Sequence, residues 1–198
     1  YSVDNINGIS YSTSDFRRIT TKSSPHNVMT STSSILSVAE QLGYRTTSNE
    51  ESVLNYVTEE VNLEEGIDAT DITIPHSTLH TVSYEYDEED NIYIRYARGT
   101  LQKDYSTGDS ITTKNIIIEF IDNSTLQDGS SKGRQTLSNI GTFNGYYITN
   151  GKAIKITCTK RARDSKTIYK DLNGNIINVN DGNTWINICP KSADVVIE

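Results

Sequence analysis

The side chains best equipped for chemistry in this chain are few. It has three histidines, His26, His76 and His80, two cysteines, Cys158 and Cys189, and one tryptophan, Trp185. His26 follows Pro25, which stiffens the backbone on its approach. Arg95 lies in the alternating run Asn91–Tyr96, where neighbouring side chains are half-buried and a guanidinium fork can be aimed at a partner. Asp104 sits in the polar stretch Lys103–Gly108, which ends in a turn. The plainer reading pairs Arg95 with Asp104 as an ion pair bracing the loop between their strands. The functional reading has His26, Asn27, Arg95 and Asp104 line a polar pocket. There His26 would act as general acid or base, and Arg95 and Asp104 would orient substrate. Trp185 reads as core rather than as a ligand platform.

Other signatures fall away on spacing. Lys152 is followed by Ala153, where a phosphate loop needs Ser or Thr. No G-x-S-x-G elbow occurs. Asp171-Leu172-Asn173-Gly174-Asn175 opens like a calcium loop, but its twelfth position is Gly182, so it reads as a turn. Asp87–Asp90 reads as a solvated acidic turn. No zinc-type cysteine spacing occurs, so neither metal nor cofactor is expected. Cys158 and Cys189 each lie in an apolar, strand-like run. Neighbouring strands would allow a disulfide; otherwise both are buried thiols acting as small hydrophobes.

The elements that must position these groups are mostly strands. Apolar residues make up only 34% of the chain, with Asn, Ser and Thr filling the gap and 12 Tyr supplying most of the aromatic surface. Tyr, Thr, Ile and Val suit half-buried pleated strands. Ser31 or Thr32 can cap a helix whose Ile35, Leu36, Ala39 and Leu42 recur at helical spacing and which Gly43 can stop. Residues 48–61 lean to a second helix, with Val53, Leu54, Val57 and Val61 as its stripe, although Leu54-Asn55-Tyr56-Val57 would also serve as a strand. From Asp71 the pattern has period two. Asp71–Pro75, Thr81–Tyr86 and Asn91–Tyr96 are strands, the last two forming a hairpin. Asn115–Ile121 is a continuous apolar run of the kind found in a central strand. Gly145–Thr149, Ala153–Lys160, Thr167–Lys170, Asn175–Val179 and Trp185–Ile188 complete the set. The expected fold is β-rich α+β. One or two helices in residues 1–70 pack on an antiparallel meander or partly closed barrel over 71–198.

Charge narrows the partners. A net charge of −8, with 18 basic residues scattered among 26 acidic ones, argues against nucleic acid and anionic membrane. The one basic knot, Lys160, Arg161, Arg163 and Lys166, flanks a turn and reads as a solvated face. No apolar run approaches the ~20 residues a spanning helix needs.

Several stretches in order resemble one family. They are Pro25-His26-Asn27 with Thr30-Ser31-Thr32, Val82–Asp87 with Tyr93-Ile94-Arg95, Asp104 with Thr107-Gly108, and Asn115–Ile118. Gly145-Tyr146-Tyr147, Gly151–Thr157, Tyr169-Lys170-Asp171 with Gly174-Asn175, and Gly182–Ile186 follow. Over roughly residues 16–190 the chain looks like the YerB-like bacterial lipoproteins, a two-part domain of unknown function. The resemblance implies an extracytoplasmic location and a lipid tether. The export signal, the anchoring cysteine and the front of the first part would then lie before Tyr1. Cys158 stands where the family usually carries an aromatic, and Cys189 where an aliphatic is usual, so a disulfide could replace aromatic packing here. The expected role is a binding or scaffold module for cell-wall polymer or an envelope protein; the alternative is a hydrolase-type enzyme acting on envelope polymers.

Overall fold

The computed structural model describes residues 4–8, 10 and 15–198. The chain divides into two compact units, Tyr1–Glu51 and Ser52–Glu198. The boundary falls at Ser52 rather than near residue 70, because Asn55–Val57 and Ile67–Asp68 are strands that pair within the second unit.

In the first unit a short hairpin joins Arg17–Arg18 to Val28–Met29. Helix α1 (Thr32–Gln41) follows and is built as its sequence requires. Ser31 is the N-cap, its hydroxyl accepting from the Ser34 amide. At the other end Gly43 takes φ +68°, its N–H donates to Glu40 O, and Tyr44 N–H donates to Ala39 O. That pair of bonds is a Schellman stop, and Gly allows it at no steric cost. The buried residues are Val38 and Ala39, whereas Ile35, Leu36 and Leu42 stay exposed.

The second unit is built on two six-stranded sheets face to face, with two smaller two-stranded sheets beside them and no closed barrel among the described residues. Strands β1 (Asp71–Ser77), β2 (His80–Asp87) and β3 (Ile92–Ala97) form the expected meander. Val196–Ile197 borders β1, and Thr100–Leu101 and Thr112–Thr113 border β3. The central sheet holds β4 (Asn115–Ile121), β5 (Gly141–Thr149), β6 (Lys152–Lys160), β7 (Ile168–Asp171) and β8 (Thr184–Pro190). Its order is β7-β6-β5-β4-β8, and Ile67–Asp68 pairs with β6. The β5–β6 turn is the expected tight hairpin, with φ +49° at Asn150 and +70° at Gly151. The last strand departs from a meander: β8 returns to lie parallel beside β4.

Alternation along β4 sends side chains to two cores. Ile116 and Ile118 pack with Ile72, Ile74, Tyr84 and Tyr93 of the meander. Ile117 faces the other way and packs with Tyr147, Ile156, Leu54, Ile177 and Val179. That second face is covered by Asn55–Val57, which pairs in parallel with Asn178–Asn180. The helix expected over 48–61 is therefore absent. Tyr56 and Val57 suit a pleated strand, and an edge at Asn178–Asn180 was there to meet them. A buried polar network ties this cover down. Tyr147 OH donates to Asn115 Oδ1 at 2.9 Å, and Asn180 Nδ2 donates to Thr149 Oγ1 at 3.0 Å.

Candidate functional site

The residues marked in the sequence are placed as follows. His26 lies on an exposed turn of the first unit, its N–H donating to Ser23 O. Asn27 pins the hairpin: its Oδ1 accepts from Arg18 Nη1 at 2.6 Å and its Nδ2 donates to Ile19 O at 2.9 Å. Arg95 and Asp104 belong to the second unit and are not an ion pair. Strand alternation turns Arg95 into the sandwich, while Asp104 stays exposed and organises its own loop. Asp104 Oδ1 accepts from the Ser106 and Thr107 amides at 2.7 and 2.9 Å. Those Thr107 and Ser106 bonds also hold its carboxyl below the ordinary range.

Arg95 is 8% exposed. Its Nε donates to Tyr84 OH at 3.2 Å, and its guanidinium lies 4.1 Å from the centre of the Trp185 ring. Tyr84 OH in turn exchanges 3.2 Å bonds with the Asn187 amide. This is a staple between sheets: Tyr84 and Arg95 come from the meander, Trp185 and Asn187 from β8. Trp185 is thus a partly buried packing residue, with an arginine on its face. His76 stands beside the staple, with Nδ1 3.1 Å from Ile188 O. Burial, and after it the positive neighbours His80 and Arg95, pull its pKa down against that carbonyl. His76 and His80 are four residues apart with ring centres at 5.8 Å, but no third His, Cys, Asp or Glu among the described residues joins them as a metal group.

The cysteines do not form a disulfide. Cys158 is on β6 and Cys189 on β8, with β5 and β4 between them. Three inter-strand steps of about 4.8 Å far exceed the reach of a disulfide. They also face opposite cores. Both are free and buried, and desolvation pushes their thiols up to about 12 and about 11.

The site that the motifs did not announce is Glu119, a lone carboxylate inside the apolar run of β4. It is 6% exposed. Tyr169 OH, from β7, donates to its Oε1 at 2.6 Å. The phenol spans two intervening strands because the residues on its way are small. Tyr169 pairs in register with Cys158, and Glu119 with Gly145. An aromatic at 158 would occupy the path the phenol takes. Among the described residues no hydrogen bond reaches Oε2 of Glu119, and the residue lines a groove of about 580 Å³. Phe143, Ile186 and Ile188 give that groove apolar walls, and Lys160, Arg163 and Lys166 give it a basic rim. The rim turn is held by Ser165. Its carbonyl accepts from Lys160 Nζ, and its Oγ accepts from the Arg161 and Ala162 amides at 3.1 and 2.8 Å. The basic knot is therefore not wholly a solvated face, because Lys160 and Lys166 are half-buried in the groove wall. Desolvation raises the Glu119 pKa, against the lowering effects of the Tyr169 bond and the Lys160 charge. Tyr169 is raised in turn by burial and by the carboxylate it touches.

The model of the family described as protein of unknown function (DUF3048), C-terminal domain, matches residues 72–186, more than half of the sequence. The chain belongs to this family. A Bacillus subtilis (strain 168) protein named "Putative lipoprotein YerB" is 27% identical over 96% of the chain, which spans 55% of that protein. The crystal structure of YerB from Bacillus subtilis matches 96% of the chain and 62% of its own, with a TM-score of 0.78 at 23% identity. The chain thus shares the fold of YerB over less than two thirds of its length. The family stretch contains Tyr84, Arg95 and Trp185 of the staple, and Glu119, Cys158 and Tyr169 at the floor of the groove. It carries no assigned activity, so function is argued from the groove itself.

Proposed function

We propose that the second unit is the binding module of an exported, lipid-tethered envelope protein, and that it holds cell-wall polymer or an envelope partner in the groove over Glu119. The relative's name as a lipoprotein supports the location. The observation that carries the binding role is Glu119 itself: a carboxyl 6% exposed, fixed at one oxygen by Tyr169, with its other oxygen facing a groove rather than a protein donor. Burying such a group costs stability unless something completes it. The test is co-sedimentation with purified sacculi. Wild type should pellet, and Arg163→Glu with Lys166→Glu should stay in solution while folded. Failure of wild type to pellet, with no fragments released, overturns the wall-directed reading.

One observation favours the hydrolase alternative. A buried carboxyl with a raised pKa is the form a general acid takes. In that reading Glu119 would carry the proton and Tyr169 would orient it. Soluble fragments released from sacculi by wild type and not by Glu119→Gln would establish it, and intact sacculi would exclude it.

A further inference from the structure

Resting on that reading, we infer that the groove takes the oxyanion groups of an anionic polymer, with the Glu119 carboxyl donating a hydrogen bond to them, so that binding takes up one proton. Three features lead there. The chain is acidic, yet Lys160, Arg161, Arg163 and Lys166 are four basic residues within seven positions, with Asp164 the only acid among them. Lys160, Arg163 and Lys166 line the groove. A basic rim on an otherwise negative molecule concentrates anions locally. The carboxyl at the floor would repel an anion while ionised, and it would attract one as a neutral acid, which has a proton to give. Because Oε1 already accepts from Tyr169, Oε2 is the oxygen left to carry that proton.

The groups facing Glu119 leave it as the one to change state. Tyr169 and Cys158 are both pushed further from neutrality, Cys158 to about 12, and Lys160 is anchored to Ser165 O. Asp164 lies with Arg163 and Lys166 at the rim. Desolvation already tilts Glu119 towards the acid form. An anion in the groove would tilt it further, by the ordinary rule for like charges in contact.

Isothermal titration with three probes tests this: poly(glycerol phosphate), poly(glutamic acid) and neutral dextran. Running each in two buffers of different ionisation enthalpy reads the proton count. The expected result is binding of a polyanion but not of dextran, with net proton uptake. Affinity should fall by up to about tenfold per pH unit once Glu119 ionises. Glu119→Gln, which keeps the acceptor for Tyr169 and presents an N–H to the groove, should bind at least as tightly at neutral pH, with the pH dependence gone. Arg163→Gln with Lys166→Gln should weaken binding at least tenfold. Binding of poly(glycerol phosphate) alone would assign a phosphodiester, and of poly(glutamic acid) alone a carboxylate. Proton release, pH-independent wild-type binding, or a Glu119→Gln variant that is folded by circular dichroism but binds no polyanion would each overturn the inference. If wild type pellets with sacculi yet binds neither polyanion, the inference fails while the wall-binding reading stands; if it does neither, both fail.

Discussion

Arg95 and Glu119 are buried to nearly the same degree, at 8% and 6% exposure, and they report opposite things. Each lies on one face of the central sheet, Arg95 packed there from the meander and Glu119 carried by β4 itself. On β8 the consecutive residues Asn187 and Ile188 serve the two sides, one bonding the Arg95 staple and the other walling the Glu119 groove. On the Arg95 side the charge is roofed by the Trp185 ring and tied to Tyr84, and the cluster closes on itself. On the Glu119 side one oxygen is tied and the other opens on space. Burial alone therefore does not mark a site. What marks it is a polar atom left without a protein partner where a ligand can reach it.

The harshest way to break the comparison is to damage the strand between the faces. Gly145 sits opposite Glu119 on β5, and a Cβ there would collide with the Ile118 carbonyl oxygen and come within 2.9 Å of Cys158 Sγ. Neither atom is the free end of a flexible chain. Gly145→Ala should cost at least about 3 kcal/mol and loosen both faces together. Denaturant melts would show it as a lower midpoint with an altered near-ultraviolet signal.

Arg95→Ala should come next, at about 2–4 kcal/mol, since it removes a stacked guanidinium and leaves Tyr84 OH and Asn187 with a void. Trp185 fluorescence should change, and pelleting with sacculi by the protein that remains folded should not. Lost pelleting at full stability would make Arg95 a binding residue and erase the contrast between the faces.

Much of this was legible in the sequence, in proportion to how local the signal was. The Ser31 cap, the Gly43 stop, the β2–β3 hairpin and the burial of Asn115–Ile121 are set by neighbours a few residues away, and all are present. Partners distant in the chain were not legible. Asn55–Val57 became a strand only because Asn178–Asn180 offered an edge. Cys158 and Cys189 looked like a pair only while the order of their strands was unknown. In the sequence Arg95 reads as the partner of Asp104 or as the lining of a polar pocket, but the structure gives it an aromatic ring across the sandwich and not Asp104 nearby in the chain. The groove had one faint signal, a carboxylate in the middle of Asn-Ile-Ile-Ile-Glu-Phe-Ile. Charged residues are almost never fully buried without a reason, so a Glu in a run reading as a central strand was the residue to question. Tyr169 could not have been assigned to it, because their meeting depends on the small residues Cys158 and Gly145 lying between.

Tyr169→Phe sharpens the contrast from the Glu119 side. It deletes the one donor that the described residues give this buried carboxyl and should cost about 1–3 kcal/mol at neutral pH. The loss should shrink on acidification, because a protonated Glu119 needs that donor less. An equal loss at every pH would mean the hydroxyl is valued for packing alone.

The smallest effect has the clearest sign. Glu119 has its pKa raised on folding, mainly by desolvation. Between its unfolded and folded values the native state keeps a proton the unfolded chain has lost, so stability falls as pH rises through that window. Below the window both states are protonated and Glu119 differs little from Gln. Above it the native protein must hold a buried charge that Gln does not carry. Glu119→Gln should therefore melt with wild type in acid and above it near neutrality, by the order of 1 kcal/mol or a few degrees in Tm. Arg95→Met should show no such pH-dependent gain, since the guanidinium keeps its charge across the whole range and loses its packing at every pH. A constant offset between Glu119→Gln and wild type would mean that Glu119 is ionised at no cost. The carboxylate face would then be as self-sufficient as the arginine face.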